Sequence, residues 1–337
     1  MYKRQYLDKA IKAPYFVSPE IVIKREGRTA VRGYPRDWGK RVNYLSNLLF
    51  LKAGYLFLQG REKEAWDEAL KMLIIGKKIC QDLRGSSISL ALSIIGIRGT
   101  AQELITKLLL PQASLSRVEL REYAERIRET KIPLKALKYF LKEKYVTVTE
   151  GLTGIEERKD SAPLINRLGK VKFLFKPNKT KLYFVQTFRK IINSPPSTLK
   201  ELQRFQPPYH FDISVENKKA HSIFGLLKLF FTENSIGKAI YMDLITNDRF
   251  VLFEEVFILK ALDDFDIDAL SLMVAIKAYK NDFGMLPDSL SELVPEYISE
   301  IPLSPYDNKP LRYLKSKKLI RAGFAIRGEP VETKIDI

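Results

Sequence analysis

The sequence has few of the residues that metal and redox sites require. Its 337 residues include one cysteine, Cys80, and two histidines, His210 and His221, which stand eleven positions apart. A disulfide framework is therefore excluded, and the two histidines lack the cysteine partners and the spacing typical of zinc sites. Glycine-rich phosphate loops, the GxSxG nucleophile elbow and the HExxH zinc motif are also missing. We expect no cofactor and no bound metal.

Long apolar runs are missing as well. The longest stretch without a charged residue is residues 85–97, whereas a helix needs about 20 apolar residues to cross a bilayer. Charged residues interrupt the first 23 positions, so no secretory signal is predicted there. Residues 1–5, MYKRQ, resemble translated sequencing-adapter sequence, and we exclude them from fold prediction. We expect the natural start, with an N-terminal membrane anchor, to lie upstream.

Positive charge is in excess and unevenly distributed. The 57 Lys and Arg residues outnumber the 40 Asp and Glu residues, which gives a net charge of +17. Basic residues outnumber acidic ones by 29 to 16 in residues 1–150, but residues 261–308 hold ten acidic residues and two basic ones. We expect this acidic segment to dock against the basic body. The remaining charge favours either a solvated surface or an anionic partner, such as nucleic acid or a membrane.

Apolar residues follow a helical period through most of the chain. Residues 37–60 and 61–79 each carry apolar side chains three or four positions apart, and Gly60 separates the two segments. This pattern predicts a helical hairpin that resembles a single tetratricopeptide unit. The small residues expected at its helix contact are Ala53, Ala65 and Ala69. The predicted fold class is mainly α: a multi-helix bundle with this hairpin near its N-terminus and a small C-terminal β-hairpin at 311–326.

Capping residues and prolines mark further helix ends. Residues 86–110 are apolar nearly all round, which predicts a central helix that ends at Pro111. Ser116 and Glu119 form a capping-box pattern, and Asn178 is the predicted cap of a helix that runs to 192. The predicted parts of the chain are an irregular or partly extended lead-in, a helical bundle, a linker or loop, a second helical region and a C-terminal part, at 1–36, 37–148, 149–163, 164–262 and 263–337.

Four aspartates stand where the last long helix is predicted to begin. They are Asp263, Asp264, Asp266 and Asp268, and apolar residues at helical spacing follow from Phe265 to Phe283. The segment lacks the glycine and glutamate that an EF-hand loop uses, so a calcium loop is not predicted. Carboxylates in the first turn complement the positive end of the helix dipole. We therefore interpret the four aspartates as structural.

Residues 275–313 carry a specific motif. A helix that ends at a glycine is followed by a proline, a short L-x-x-L-x-P segment, a second proline, an aspartate turn and a closing strand. The residues of this motif are Ala275, Tyr279, Gly284, Pro287, Leu290, Leu293, Pro295, Tyr297, Pro302, Pro305, Asp307, Pro310 and Tyr313. We expect Gly284 to reverse the chain, and leucine and tyrosine residues to hold the following segment against the long helix.

This segment resembles the C-terminal part of major pseudopilins of type II secretion systems. It also resembles uncharacterised bacterial envelope proteins in which a helical body precedes the same segment. Ser304 stands where an aspartate is usual. The resemblance implies a packing module in a membrane-anchored envelope protein, and it assigns no catalytic residue.

Together these features predict a non-enzymatic, extracytoplasmic scaffold or interaction protein of the bacterial envelope. Its partner would be a protein, and it would act alongside a secretion or pilus apparatus. Two alternatives stay open. One is a hydrolase whose carboxylates come from distant positions. The other is a cytoplasmic nucleic-acid-binding protein, in which lysines would alternate with aromatic residues. The lysines of this basic stripe are Lys170, Lys172, Lys176, Lys179 and Lys181.

Overall fold

A computed structural model describes most of the chain. The described residues are 21–25, 28–32, 38–82, 93–134, 136–138, 141–142, 145–146, 148–149, 175–205, 208–209, 233–246, 251–326, 329–335 and 337. Most of them are helical, and a small β-sheet lies near the C-terminus, so the predicted fold class is confirmed. Residues 150–163 of the predicted linker and both histidines lie outside the described residues.

Helices account for most of the regular structure. They are α1 (Trp38–Leu58), α2 (Glu62–Asp82), α3 (Gly99–Leu104), α4 (Arg117–Arg128), α5 (Pro177–Asn193), α6 (Leu199–Gln203), α7 (Ser235–Thr246) and α8 (Val251–Phe283). Helical turns of the π type, Ser93–Arg98 and Ile105–Leu109, extend α3 on both sides. We call this continuous stretch, residues 93–109, the central helix. Described residues between 134 and 149 are also helical. No helix in the described part of the chain is long and apolar enough to cross a membrane.

The chain forms two compact units. Unit 1 comprises Met1–Ala136, Thr198–Lys200 and Ile258–Ile337, and unit 2 comprises Leu137–Ser197 and Glu201–Phe257. The C-terminal segment, which the sequence analysis treats as a separate part, thus groups with the N-terminal helices. In the lead-in, β1 (Ile21–Arg25) and β2 (Arg28–Arg32) pair antiparallel, from Ile21 opposite Arg32 to Arg25 opposite Arg28.

Helices α1 and α2 form the predicted hairpin. Gly60 has a φ of 73°, and its N–H donates to the carbonyl of Phe57, while the Arg61 N–H donates to the carbonyl of Leu56. These two bonds make a Schellman motif, which needs a residue with positive φ after the helix end. The three predicted small residues, Ala53, Ala65 and Ala69, are fully buried. The hairpin therefore packs through small side chains as the sequence indicates.

The central helix lies in the core of unit 1. Ile97, Ala101, Leu104 and Leu109 have no exposed surface, whereas Glu103 and Lys107 are exposed, so this stretch has one polar side and is not apolar nearly all round as predicted. Helix α4 follows it and begins with the predicted capping box. The Ser116 hydroxyl accepts the Glu119 N–H, and the Glu119 carboxylate accepts the Ser116 N–H. This box satisfies two donors that a helix start otherwise leaves unpaired.

The last helix and the segment after it close the core of unit 1. Gly284, with a φ of 72°, follows the end of α8, and its N–H donates to the Lys280 carbonyl at 2.8 Å. A single 3₁₀ turn, Leu290–Leu293, follows, with a capping box between Ser289 and Glu292. Glycine suits the left-handed residue after the helix, so the predicted chain reversal is confirmed.

A three-stranded antiparallel sheet ends unit 1. Strands β3 (Arg312–Leu314) and β4 (Leu319–Ile326) pair from Arg312 opposite Arg321 to Leu314 opposite Leu319. They form the predicted hairpin. Strand β5 (Glu329–Lys334) adds to the other edge of β4, and the register shifts between Arg321 and Ala325. Strand β5 was not predicted from the sequence, because its charged and proline residues, EPVETK, lack an apolar alternation.

Unit 2 is built around α5 and α7. Asn234 precedes α7 with a φ of 55° and no exposed surface; its side-chain oxygen accepts the Lys176 N–H at 2.7 Å, and its amide nitrogen lies 3.1 Å from Thr180 Oγ1. A Cβ on Gly237 would stand 1.9 Å from Thr180 Oγ1, so only glycine fits there. The predicted cap at Asn178 is wrong. Helix α5 begins at Pro177, whose fixed φ suits the first helical position, and Asn234 binds the N–H of the preceding residue, Lys176.

Candidate functional site

A buried guanidinium joins three helical segments of unit 1. Arg98, on the central helix, is completely buried and binds Asp263 of α8 with two hydrogen bonds, of 2.5 and 3.0 Å. Its Nη1 also donates to the carbonyls of Leu73, on α2, and of Thr130, just after α4, at 3.1 and 3.0 Å. Such a planar bidentate contact is the strongest form of side-chain ion pair. The arrangement fixes helix positions and leaves no guanidinium surface for a ligand.

The aspartate cluster lies in the middle of a helix. Helix α8 begins at Val251, so Asp263 and Asp268 stand more than two turns inside it, and the prediction that they occupy a first turn is wrong. Both are buried, and their charges are met by basic side chains from other segments: Asp263 binds Arg98, and Asp268 binds Lys131 Nζ at 2.6 Å. Their carboxylates therefore counter buried or half-buried basic groups and do not complement the helix dipole.

Burial also changes the acidity of this cluster. It raises the pKa of Asp263, although Arg98 opposes the change. Burial and the neighbouring Asp263 raise the pKa of Asp266 to about 7. Burial raises the pKa of Asp268 to about 6, against the opposing effect of Lys131. Perturbed carboxylates often mark active sites, but here the observed partners of Asp263 and Asp268 are structural ion pairs.

The acidic segment 261–308 meets helix α4 through several contacts. Arg128 Nη2 lies 2.7 Å from Glu300, and Arg117 lies 3.8 Å from Asp282. The Ser299 N–H donates to Glu125 at 2.7 Å. Part of the positive excess is therefore neutralised inside unit 1, as the charge distribution indicates.

Unit 1 has two clefts lined by described residues. One, of about 380 Å³, lies between the central helix, α8 and β5, with Thr106, Lys107 and Met273 in its wall. The other, of about 230 Å³, lies between α2 and α4, and its one carboxylate is Glu129. Neither cleft brings two carboxylates together, which the hydrolase alternative requires.

The described part of the basic stripe belongs to unit 2. Lys176 and Lys179 both bind Glu233, at 2.5 and 2.6 Å. Hydrogen bonds from the two lysines lower the pKa of Glu233 to about 2. Phe175 and Tyr183, the aromatic residues that flank these lysines in the sequence, are 2% and 5% exposed and pack in the core. Lys181 is half-buried, and Lys170 and Lys172 lie outside the described residues.

The motif residues do hold the C-terminal segment against α8. Leu290, Leu293 and Tyr297 are buried in the core of unit 1, and Tyr313 packs against it. The Tyr279 hydroxyl donates to Glu292 and the Tyr297 hydroxyl donates to Asp282, each at 2.7 Å. These bonds run in both directions between helix and segment. The remaining motif residues on or beyond α8 are Ala275, Pro287, Pro295, Pro302, Pro305, Asp307 and Pro310.

Ser304 is a structural residue in this segment. Its side chain is buried, its hydroxyl donates to the Ala322 carbonyl, and its N–H donates to the Lys309 carbonyl at 2.7 Å. The turn it begins is therefore closed by backbone and hydroxyl bonds.

Among the residues that the structure describes, no three His, Cys, Asp or Glu side chains come close enough together to hold a metal ion.

An exposed apolar stripe runs along α1. Its residues, with their exposed fractions, are Tyr44 (67%), Leu48 (47%), Leu51 (65%), Tyr55 (62%) and Leu58 (83%). They step by four, three, four and three positions, so they lie in one strip about 80° wide on the helix surface. We call this set the α1 stripe. The opposite face of α1, with Leu49, Ala53 and Leu56, is buried against the rest of unit 1.

The surroundings of the α1 stripe carry almost no charge. Between positions 43 and 59 the one charged residue is Lys52, which is bound to the buried Glu68. Burial opposes ionisation of Glu68, but Lys52 and Lys71 outweigh it and lower the pKa of Glu68. The other exposed residues here include Asn43, Asn47 and Gln59. In a chain with 29% charged residues, an exposed face without free charge is unusual and typical of an interaction surface.

No family model, curated protein or solved structure matches the chain. Among the surfaces described, the α1 stripe has the clearest feature of a site. The sequence analysis missed it, although the 4-3-4-3 spacing is visible in the sequence, because one apolar face was enough to predict the helix.

The buried ion pair between Arg98 and Asp263 leads to a prediction about stability. We expect Arg98→Met to lower the free energy of unfolding by about 3–5 kcal/mol, because it leaves Asp263 buried without its counter-charge. The double variant Arg98→Met/Asp263→Leu should be more stable than Arg98→Met alone. The matched control is Arg126→Met, which breaks exposed ion pairs worth about 0–1 kcal/mol. Urea unfolding of the four proteins measures this, and equal losses for Arg98→Met and Arg126→Met would contradict it.

The raised pKa of Asp266 predicts how the stability of the protein changes with pH. Because folding raises its pKa to about 7, the folded chain binds a proton that the unfolded chain releases between about pH 4 and pH 7. Ionised Asp266 therefore costs stability above pH 7, and the cost disappears as the pH falls. We expect Asp266→Asn to stabilise the protein by roughly 1–3 kcal/mol at pH 8 and to change little at pH 4.5. Urea unfolding at both pH values tests this, and an equal effect at both would refute it.

Proposed function

We propose that the protein is a non-enzymatic interaction or scaffold protein that works through the α1 stripe. The observation that carries this proposal is the uncharged apolar face on an otherwise charged molecule. Burying exposed apolar side chains is favourable by about 25 cal/mol per Å². Helix α1 is apolar on both faces, and a helix of that kind is normally covered on both.

The ionisable groups support a structural role for the rest of unit 1. Asp263 and Asp268 are bound to Arg98 and Lys131. Glu292 accepts a hydrogen bond from Tyr279 of α8, and Asp282 accepts one from Tyr297 of the C-terminal segment. A catalytic carboxylate needs to face a space that a substrate can enter, whereas these four side chains hold helices and the C-terminal segment together.

The proposed location is the bacterial envelope, with a tether that precedes the present sequence. Support for it comes from the resemblance of residues 275–313 to the pseudopilin C-terminal segment. The contacts of Tyr279, Leu293 and Tyr297 agree with the packing role that the resemblance implies. A position alongside a secretion or pilus apparatus belongs to the same proposal.

Nucleic-acid binding is less well supported. Lys176 and Lys179 share Glu233, and the aromatic residues on either side of them, Phe175 and Tyr183, are in the core. Bases stack on exposed aromatic rings in proteins that bind single strands, and Phe175 and Tyr183 are not available for stacking. The contacts of this segment are those of an amphipathic helix.

The interaction role is tested by site-specific photo-cross-linking in cells. We expect a photoreactive amino acid at Leu48 to form adducts that the same amino acid at Val118 does not form. Val118 is the matched control, since it is 71% exposed on α4 but is not part of an apolar stripe. Adducts with a protein or with lipid would each support an interaction surface on α1. Equal labelling at the two positions would overturn the proposal.

The envelope tether is tested by the genomic reading frame. We expect the frame to continue upstream of Met1 and to encode an apolar helix of about 20 residues within the preceding segment. Fractionation of cells that express the full frame should place the protein with membranes. A charged start without any apolar helix would contradict the tether and leave the interaction role untouched.

A further inference from the structure

We infer that the α1 stripe binds the α1 stripe of a second copy of this chain, with the two helices antiparallel about Leu51. This inference rests on the proposed interaction role and names its partner. It follows from the spacing of the stripe, the sizes of its side chains, the charges at its two ends and the area it would bury.

The spacing selects a helix as the partner. Apolar residues that alternate four and three positions apart form the seam of a two-helix coiled coil, in which each side chain fits between residues of the facing helix. The α1 stripe has five such residues over residues 44–58. A flat lipid surface would not select this spacing, since it accepts a broader apolar face.

The order of the side chains makes the stripe complementary to itself. In a two-fold symmetric interface, a contact between residue i of one copy and residue j of the other is always matched by a contact between residue j of the first copy and residue i of the second. With the axis at Leu51, Tyr44 is level with Leu58 of the other copy, Leu51 meets Leu51, and Leu48 is level with Gly54, beside Tyr55. Each tyrosine ring then packs on a leucine, so large and medium side chains alternate across the seam and no two tyrosines are in direct opposition.

Charge also favours the antiparallel arrangement. The stripe itself carries no charge, so two copies can approach although each chain has a net charge of +17. The first turn of α1 contains Lys40 and Arg41, whereas Arg61, Glu62, Lys63 and Glu64, just beyond the other end of α1, carry no net charge together. In an antiparallel pair the basic positions of one copy are level with this neutral segment of the other. A parallel pair would bring the basic ends together.

The buried area indicates a weak dimer. At the observed exposed fractions each stripe residue presents roughly 100 Å², so the stripe presents on the order of 500 Å² per copy. The pair would bury about 1,000 Å² in total, near the lower limit for a specific interface. We therefore expect a reversible dimer with a dissociation constant in the micromolar range, and a monomer in dilute solution.

Sedimentation velocity of the full chain over a range of about 1–200 µM tests the inference. We expect a shift from monomer to dimer with concentration. Leu51→Glu should weaken the dimer at least about tenfold, because two carboxylates then meet on the axis. Val118→Glu, which adds the same charge to another exposed apolar position, should leave it unchanged. An equimolar mixture of Leu51→Glu and Leu51→Lys should dimerise again. Circular dichroism confirms that each variant is folded.

Cross-linking gives the orientation without relying on a destabilised interface. A mixture of Tyr44→Cys and Leu58→Cys proteins should form a disulfide-linked dimer under mild oxidation, and neither protein should do so alone. Cross-linking of Tyr44→Cys with itself would indicate a parallel pair and overturn the antiparallel inference.

The result also separates this inference from the proposed function. A chain that stays monomeric at 200 µM but binds phosphatidylglycerol vesicles through the stripe would overturn the second copy as the partner, while an interaction role for α1 would stand. A monomer that binds no vesicles would likewise overturn the dimer, and the photo-cross-linking result at Leu48 would then decide the interaction role alone.

Discussion

The arrangement of unit 1 depends on one buried guanidinium. Arg98 contacts Asp263, Leu73 and Thr130, three residues that are far apart in the sequence and belong to different helical segments. A guanidinium without partners is very costly in an apolar core, so all three segments have to reach it at once. Apolar packing alone would allow α2, α4 and α8 to slide along one another. The directed hydrogen bonds of Arg98 select one relative position.

The position of α8 in turn determines the C-terminal segment. Tyr279 and Asp282 lie on the last turns of α8 and bind Glu292 and Tyr297 of that segment. Lys131 and Arg128 approach Asp268 from the end of α4. The acidic residues of 261–308 are thus distributed between buried partners and the arginines of α4. Since so many charges in this region are paired within unit 1, the uncharged surface of α1 is distinct in its chemistry from the rest of the unit.

Local signals in the sequence were enough to predict the helices, but they were not enough to predict the long-range contacts. Gly60, Ser116 with Glu119, and Gly284 predicted helix ends correctly, because each acts through neighbouring backbone groups. The predicted helix start at Asp263 was wrong because four acidic residues resemble a first turn unless the distant Arg98 and Lys131 are known. The cap at Asn178 failed for the same reason, since Asn234 supplies the contact. The α1 stripe shows a different limit of prediction. Its spacing is visible in the sequence, but only the structure shows which of the two apolar faces of α1 is exposed.

The proposed tether and the proposed dimer constrain each other. A weak interface is sufficient for proteins confined to one membrane, because tethering raises their effective concentration. Two tethered copies also need their N-termini at the same distance from the membrane. A two-fold axis perpendicular to the membrane meets this condition, because it relates the two copies without changing that distance. In the antiparallel pair that axis passes through Leu51 at right angles to α1. Helix α1 would then lie parallel to the membrane, with residue 38 of each copy at an opposite end of the pair. The chain before α1 therefore has to reach the membrane from both ends of the seam, which a flexible or extended lead-in allows and a rigid continuous helix through α1 does not.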